Sequence, residues 1–266
     1  MKRIALLPLL FVIACTAPQK AVVTTTQPEH SIVVDGKLFT AIYQQKVAEY
    51  KALCFQAYNL AHLRLDQSLQ TKGLKPKAII TDIDETVLDN SPYAIHQALL
   101  GKDYEPATWY QWTSLASADT VPGAPSFLKY AATNGVEVFY ITNRDEKERS
   151  ATMQNLRKYN LPNSDTVHLI MRQTVSSKEE RRQQVMRNYE VVLLVGDNLA
   201  DFSSLFDKRS QAEREANTLQ SAEAFGKRFI VLPNPNYGDW ESALYNYGRY
   251  TTAQKDSILR IAGKSF

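Results

Sequence analysis

One stretch of the chain decides the fold: Ala78-Ile79-Ile80-Thr81-Asp82-Ile83-Asp84-Glu85-Thr86. Its first four residues carry no charge, which is typical of a short strand that is buried on both faces. Acidic and hydroxyl side chains follow at once. Ligands of open parallel sheets bind beyond the carboxyl ends of the strands. The stretch therefore predicts a strand of an α/β fold and the edge of the sheet at which a site would lie.

Four more short apolar runs have the composition of buried strands, and stretches with helical spacing of apolar residues separate them. This alternation predicts a Rossmann-like α/β core, in which helices cover both faces of a parallel sheet. The expected strands are residues 78–81, 136–141, 167–170, 191–195 and 228–232, and the expected helices are residues 124–133, 146–159, 177–188 and 199–225.

Two parts of the chain do not fit this alternation. Residues 38–71 carry apolar side chains at helical spacing, which predicts one long helix or two consecutive helices. Residues 89–122 follow the first strand directly and contain Trp109 and Trp112. We interpret them as an insertion that forms a small, mainly helical cap over the end of the sheet. The whole domain is expected to span residues 34–266.

The N-terminus resembles a bacterial lipoprotein signal peptide. Lys2 and Arg3 precede a short apolar run that ends at Cys15 and cannot span a bilayer as a permanent helix. We expect residues 1–15 to be the signal, Cys15 to carry lipid, and residues 16–33 to be a flexible tether. The alternative is an ordinary signal peptide. Either predicts a location outside the cytoplasm, and Thr16, rather than Asp, after the lipidated Cys15 favours the outer membrane.

Charge and cysteine content narrow the choice of partners. The chain has 31 Lys and Arg against 28 Asp and Glu, a net charge of +3, which gives no support for a nucleic acid polymer as partner. The chain has two cysteines, so lipidation of Cys15 would leave Cys54 without a partner for an intrachain disulfide. We expect Cys54 to be a small buried apolar residue. A run of basic residues is expected to be a solvated helix face: Lys178, Arg181, Arg182 and Arg187.

Polar side chains also follow the other predicted strands. Thr142 and Asn143 follow the second strand, Lys178 lies near the start of a helix, and Asp197 and Asp201 follow the fourth strand. Phosphoryl transfer requires such a set: a carboxylate nucleophile, oxygen ligands for a divalent cation, and a hydroxyl and an ammonium for the phosphate oxygens. Oxygen ligands from two strand ends suit Mg²⁺. The sequence therefore predicts magnesium-dependent phosphoryl transfer.

The order of these residues resembles the four motifs of the haloacid dehalogenase (HAD) superfamily. Asp82-x-Asp84-x-Thr86 resembles the first motif, and Gly196-Asp197-x-x-x-Asp201 resembles the fourth. The longer strings 82–93 and 195–202 resemble the two signatures of bacterial class C acid phosphatases, many of which are outer-membrane lipoproteins. The resemblance covers nearly the whole mature chain.

The resemblance implies a role for each acidic residue. Asp82 is the nucleophile that forms an aspartyl-phosphate, and Asp84 protonates the leaving alkoxide and later activates water. Mg²⁺ is held by the carboxylates of Asp82 and Asp197 and by the backbone carbonyl of Asp84. Asp201 binds through a metal-bound water or orients another ligand.

The resemblance also implies how substrate is held. Thr142 and Lys178 bind the phosphate, and Lys178 offsets the charge of the acidic cluster. Substrates of the family are often nucleoside 5'-monophosphates, and aromatic residues stack on their rings. The expected substrate-binding residues are Thr86, Asn143, Trp109 and Tyr237.

Two other classes of protein fit part of the pattern. A receiver-like signalling module also combines an acidic pocket with a phosphorylated Asp, a Thr and a Lys, but Asp84, Thr86, the cap and the export signal oppose it. A surface lipoprotein that binds a ligand without catalysis could reuse the fold as a scaffold. Such a scaffold would have no need of the acid/base residue Asp84. An acid phosphatase accounts for more of the pattern than either alternative.

Overall fold

The computed structural model describes residues 31–266, so the expected signal peptide, Cys15 and most of the expected tether lie outside the described residues. Helix α1 (Ile32–Lys46) begins within the last two residues of the expected tether, and α2 (Ala48–Leu69) follows after one residue. The start of α1 is capped from the other end of the chain. The carboxylate of Asp256 accepts hydrogen bonds from the backbone N–H groups of Ile32 (3.1 Å) and Val33 (3.0 Å).

In the part of the chain that the structure describes, seven strands form two sheets. They are β1 (Lys77–Thr81), β2 (Leu88–Asp89), β3 (Asp119–Thr120), β4 (Glu137–Asp145), β5 (Leu169–Arg172), β6 (Glu190–Gly196) and β7 (Phe229–Val231). Five of them form the parallel central sheet in the order β5-β4-β1-β6-β7, with β1 in the middle. The α/β fold predicted from the sequence is therefore confirmed.

Residues 31–266 contain eight further α-helices. They are α3 (Ser91–Leu99), α4 (Pro106–Ser114), α5 (Ala124–Thr133), α6 (Arg149–Lys158), α7 (Glu179–Asn188), α8 (Gln211–Gln220), α9 (Asp239–Leu244) and α10 (Thr252–Ala262). The expectation of one helix over residues 199–225 is wrong, because only α8 in its second half is an α-helix. Ser203 and Ser210 explain the break, since their side chains accept hydrogen bonds from nearby backbone N–H groups and start new turns.

The core lies on both faces of the central sheet, because successive side chains of a strand point to opposite faces. On one face, Ile79 of β1 packs in a cluster with Leu65 of α2 and Phe127 of α5. On the other face, Ile80 packs in a second cluster with Val185 of α7. Two covered faces leave the ends of the parallel strands as the place where polar side chains can gather.

The cap is inserted between β1 and α5. Its base is the antiparallel pair of β2 and β3, and its body is α3 and α4. No helix within residues 31–266 combines the length and the apolar content that crossing a bilayer requires.

Candidate active site

The predicted catalytic residues meet at the carboxyl edge of the central sheet. Asp82 directly follows β1 and Asp197 directly follows β6, and these two strands are hydrogen-bonded neighbours. Lys178 precedes α7 and inserts its ammonium between two carboxylates. Its Nζ lies 2.5 Å from Oδ1 of Asp82 and 2.6 Å from Oδ1 of Asp201. The fold therefore brings together residues that are far apart in the sequence.

Three carboxylates form a compact acidic cluster. Oxygen atoms of Asp82, Asp197 and Asp201 lie within 4.8 Å of one another. Burial raises the pKa of Asp197 well above its usual value, and repulsion from the other two carboxylates adds to the effect. Burial opposes the charge of Lys178, but attraction from Asp201 and Asp82 outweighs it and raises the pKa of Lys178. One ammonium faces three carboxylates, so the cluster has an excess of negative charge that a further cation would neutralise.

The donor set of this cluster fits a hard divalent cation. Its ligand atoms are carboxylate oxygens, which Mg²⁺ prefers. Two neighbours fix the orientation of the Asp197 carboxylate. Thr86 Oγ1 donates to its Oδ1 (3.0 Å), and Asn234 Nδ2 donates to its Oδ2 (2.8 Å). Asp201 approaches the backbone so closely that a Cβ at Gly196 would lie 2.5 Å from the Asp201 side chain. Gly196, at the end of β6, has no side chain and therefore leaves space for the Asp201 side chain at the site.

Asp84 has different partners from the other acids. Nη2 of Arg144 lies 2.7 Å from its Oδ1, and Asn90 Nδ2 donates to the same oxygen at 2.8 Å. The sequence patterns assigned no role to Arg144 or Asn90. Their positions beside the motif residues were the only signal, since Arg144 lies two residues after Thr142 and Asn90 lies six residues after Asp84.

Thr142 and Asn143 are held by an arginine that was expected to face solvent. Arg181 donates to the Thr142 carbonyl (2.6 Å) and to Oδ1 of Asn143 (2.7 Å). Arg182 is also buried and donates to the carbonyls of Ala200 (2.8 Å) and Asp201 (2.9 Å). The expected solvated helix face is therefore wrong for both arginines, and also for Lys178, which is buried. Their guanidinium groups satisfy carbonyl oxygens of the loops around the site, which no local pattern reveals.

The acidic cluster opens into a cavity of about 480 Å³ between the sheet edge and the cap, and Trp109 and Tyr237 line this cavity. The ring of Trp109 packs edge-on against Tyr93, with 5.2 Å between centroids. Trp112 behaves as packing instead, since its Nε1 donates to Oδ1 of Asn90 (2.8 Å) and its ring lies against the core. His96 is exposed on the cap.

Glu85 is a buried acid of the site that the sequence patterns did not single out. Its backbone has φ of +58°, and its carboxylate accepts hydrogen bonds from the Asn90 backbone N–H (2.8 Å) and from the Tyr237 hydroxyl. Burial raises the pKa of Glu85 well above its usual value, and repulsion from Asp84 adds to the effect. Glu85 links the loop after β1 to the loop that carries Tyr237.

A parallel sheet whose carboxyl edge carries an aspartate cluster, a buried lysine and a helical cap defines a HAD-type phosphoryl-transfer protein. Residues 12–240 match the acid phosphatase family, subfamily IIIB of the HAD superfamily, and the chain belongs to that family. It is similar in structure to the class C acid phosphatase of Bacillus anthracis, with 40% sequence identity and a TM-score of 0.85 over 88% of this chain and 99% of that one. The same enzyme with tungstate bound gives equal identity and TM-score.

Plant proteins are more distant relatives. Acid phosphatase 1 of Solanum lycopersicum is 27% identical over 166 residues, and vegetative storage protein 1 of Arabidopsis thaliana is 27% identical over 132 residues. The chain spans 57% of the length of the former and 47% of the length of the latter. These matches cover the chain only in part, and they agree with the family assignment.

Proposed function

We propose that the chain is a magnesium-dependent acid phosphatase that hydrolyses phosphomonoesters through an aspartyl-phosphate on Asp82. The observation that carries this proposal is the position of Lys178. Its ammonium bridges Asp82 and Asp201 in the lining of the cavity, where it can neutralise both a carboxylate nucleophile and an incoming phosphate. The acid phosphatase family of the chain supports the same reaction.

In the proposed mechanism, the phosphate is bound first and is then attacked by Asp82. When bound at Asp82, Asp197, Asp201 and the Asp84 carbonyl, Mg²⁺ neutralises negative charge and orients the phosphate. Lys178 and Thr142 hold the phosphate oxygens. A carboxylate oxygen of Asp82 then attacks phosphorus while the bond to the ester oxygen breaks.

Asp84 moves the protons. In its acid form it gives a proton to the departing ester oxygen, which leaves as an alcohol. In its carboxylate form it then accepts a proton from the water that attacks the phosphorus of the aspartyl-phosphate. Cleavage of the bond between Asp82 and phosphorus restores the Asp82 carboxylate and releases phosphate. Asp84, which gave one proton and accepted another, is then again in its acid form.

We propose nucleoside 5'-monophosphates as substrates. The support is the cavity, whose volume of about 480 Å³ suits a ligand larger than phosphate alone and whose lining includes Trp109 and Tyr237. Aromatic faces stack on bases of any identity. Thr86 and Asn143 are proposed as further contacts, although the Thr86 hydroxyl donates to Asp197 in this structure.

The non-catalytic alternative is a surface lipoprotein that uses the fold to bind a ligand. Asp84 opposes it, because the structure holds this carboxylate with a buried guanidinium and an amide beside the expected nucleophile. The receiver-like alternative is opposed by the cap, which covers the carboxyl edge and supplies Trp109 to the cavity.

We also propose that the enzyme acts outside the cytoplasm, tethered to the outer membrane by lipid on Cys15. Cys15 lies outside the described residues, and the support for its lipidation is the basic and apolar pattern that precedes it.

The test is turnover of para-nitrophenyl phosphate by the full-length protein, with Mg²⁺ and after chelation. We expect activity that is lost on chelation and restored by Mg²⁺. Asp82→Asn is expected to lower kcat by at least about a thousandfold, because an amide is a poor nucleophile. Asp119→Asn, at an exposed acid of the cap base, is the matched control and should keep full activity. Activity of Asp82→Asn within about tenfold of wild type would remove Asp82 from its role.

A further inference from the structure

Arg144 is a buried cation beside the proposed general acid. It lies near the end of β4, is only 3% exposed, and donates several hydrogen bonds to the carboxylate of Asp84. Its Nη2 lies 2.7 Å from Oδ1 of Asp84, and its Nε lies 3.1 Å from Oδ1 and 3.2 Å from Oδ2. Both carboxylate oxygens are therefore fixed by one planar group, which a lysine ammonium cannot reproduce.

The guanidinium is itself held on its other sides. Thr152, fully buried in α6, accepts a hydrogen bond from Nη1 at 3.1 Å. The ring of Trp109 lies against the guanidinium, with its centroid 5.7 Å from the Arg144 Cζ. One of these contacts comes from the core domain and the other from the cap. Arg144 is therefore an anchored support and not a mobile surface side chain.

We infer that Arg144 is a positioning residue that holds the Asp84 carboxyl group where it can reach the ester oxygen of the substrate. The inference rests on the proposed function. Arg144 does not touch the phosphate in this assignment and keeps its own protons throughout. It fixes the orientation of Asp84 while the Asp84 proton passes to the leaving oxygen, and it stabilises the carboxylate that results.

This role makes a prediction about leaving groups that a purely structural role does not make. An aliphatic alkoxide is a poor leaving group and needs the proton from Asp84, whereas para-nitrophenolate departs well without it. Benzyl phosphate and para-nitrophenyl phosphate both carry an aromatic ring, so contacts with the cavity are similar. The two substrates therefore differ mainly in their demand for a correctly placed acid.

The experiment compares kcat/KM of Arg144→Lys on these two substrates. This constant covers the steps up to departure of the alcohol, so hydrolysis of the shared aspartyl-phosphate does not affect it. We expect Arg144→Lys to lose about 30-fold or more on benzyl phosphate and less than about threefold on para-nitrophenyl phosphate, because general acid catalysis contributes about 10²–10⁴-fold. Arg149→Lys, at an arginine of α6 that pairs with Glu146, is the matched control and should change neither value.

A second variant keeps the test valid if Arg144→Lys folds poorly. Thr152→Val removes only the acceptor of Nη1 and should shift the two substrates in the same direction, with a preferential loss of about threefold or more on benzyl phosphate. Equal losses on both substrates in a folded variant, or no loss on either, would overturn the inference. Absence of turnover by the wild-type enzyme on both substrates with Mg²⁺ would instead overturn the proposed function.

Discussion

Asp82 and Asp84 are separated by one residue, yet they lie in different surroundings. The carboxylate of Asp82 joins the acidic cluster and contacts Lys178, whereas that of Asp84 contacts Arg144 and Asn90. Two acids of the same chemical type can perform different tasks when their neighbours differ in this way. This difference supports the roles that we propose, the first acid as the nucleophile and the second as the group that transfers protons.

Substitutions of Asp197 and Asp84 are expected to differ in their effect on metal binding. Asp197→Asn removes a carboxylate ligand, so it should raise the Mg²⁺ concentration needed for half-maximal activity by about tenfold or more, and excess Mg²⁺ should restore part of the rate. Asp84→Asn should lower kcat with little change in that concentration, because we assign only its backbone carbonyl to the metal. Titration of activity with Mg²⁺ checks both. An equally large loss of Mg²⁺ affinity in Asp84→Asn would contradict our ligand assignment.

Trp109→Ala is expected to reduce the preference for substrates that carry a base. Stacking on a base is worth about 1–3 kcal/mol, so kcat/KM for adenosine monophosphate should fall by about tenfold or more. Ribose 5-phosphate is the matched control substrate, because it releases the same kind of alkoxide but has no base. Its kcat/KM should change by less than about threefold. Equal losses on both substrates would show that Trp109 acts by packing, within the cap and against Arg144, and not by stacking on a base.

The sequence predicted the residues whose role depends on the end of a strand. Asp82 and Asp197 could be placed because each follows an apolar run, and the carboxyl ends of parallel strands meet at one edge. Arg181 and Arg182 could not be placed, because their partners are backbone carbonyls of distant loops. A basic residue near a helix start has the same local sequence whether it faces water or a buried carbonyl.

At the scale of elements, four charged side chains connect α1, α9 and α10 to the cap. Asp103, in the loop between α3 and α4, pairs with Lys37 of α1 and Lys255 of α10 at 2.6 Å each. Glu241 of α9 completes the group and lies 3.3 Å from Lys37. All four side chains also line the active-site cavity, so this ion-pair network connects elements that surround the site.

Asp103→Asn is expected to destabilise the protein in a pH-dependent way. Burial opposes the charge of Asp103, but Lys37 and Lys255 outweigh it and lower the pKa of Asp103 from 3.8 to about 2. A depressed pKa adds stability above the unfolded-state value, and this contribution is lost as pH falls from about 3.8 towards 2. We expect a loss on the order of 1 kcal/mol at pH 6, after allowance for screening by solvent.

Urea unfolding of both proteins between about pH 3 and 6 measures this difference. The gap between wild type and Asp103→Asn should narrow towards the acid end. Asp119→Asn again serves as the control at an exposed acid. A gap that stays constant with pH would mean that the charge of Asp103 contributes nothing and that its hydrogen bonds act alone.

Elements were predictable where one pattern dominates. The strands could be read from short apolar runs, and α5 could be read from helical spacing within the bounds that the structure shows. Residues 199–225 were predicted wrongly because α8 is amphipathic and the turns before it continue a similar spacing. There the serine side chains compete locally for backbone N–H groups, and they decide where the helix begins.

At the scale of the whole molecule, the expected lipid anchor would confine the enzyme to a surface. Cys15→Ser should move the protein from the membrane fraction to the soluble fraction, because several acyl chains are lost. Activity per molecule on para-nitrophenyl phosphate should stay the same, because Cys15 lies 16 positions before residue 31, the first described residue. Fractionation followed by an activity assay checks both. Retention in membranes would show that something other than lipid holds the protein there.

The hydrogen bonds between Asp256 and the start of α1 can form only after the C-terminal part of the chain has been synthesised. Ile32 and Asp256 are 224 positions apart, so a ribosome makes the first helix long before it makes the carboxylate that caps it. A chain that is exported as we propose would pass through the secretion channel with its first helix still lacking this cap. The two hydrogen bonds from Ile32 and Val33 to Asp256 would then form only after α10 has followed α1 across the membrane.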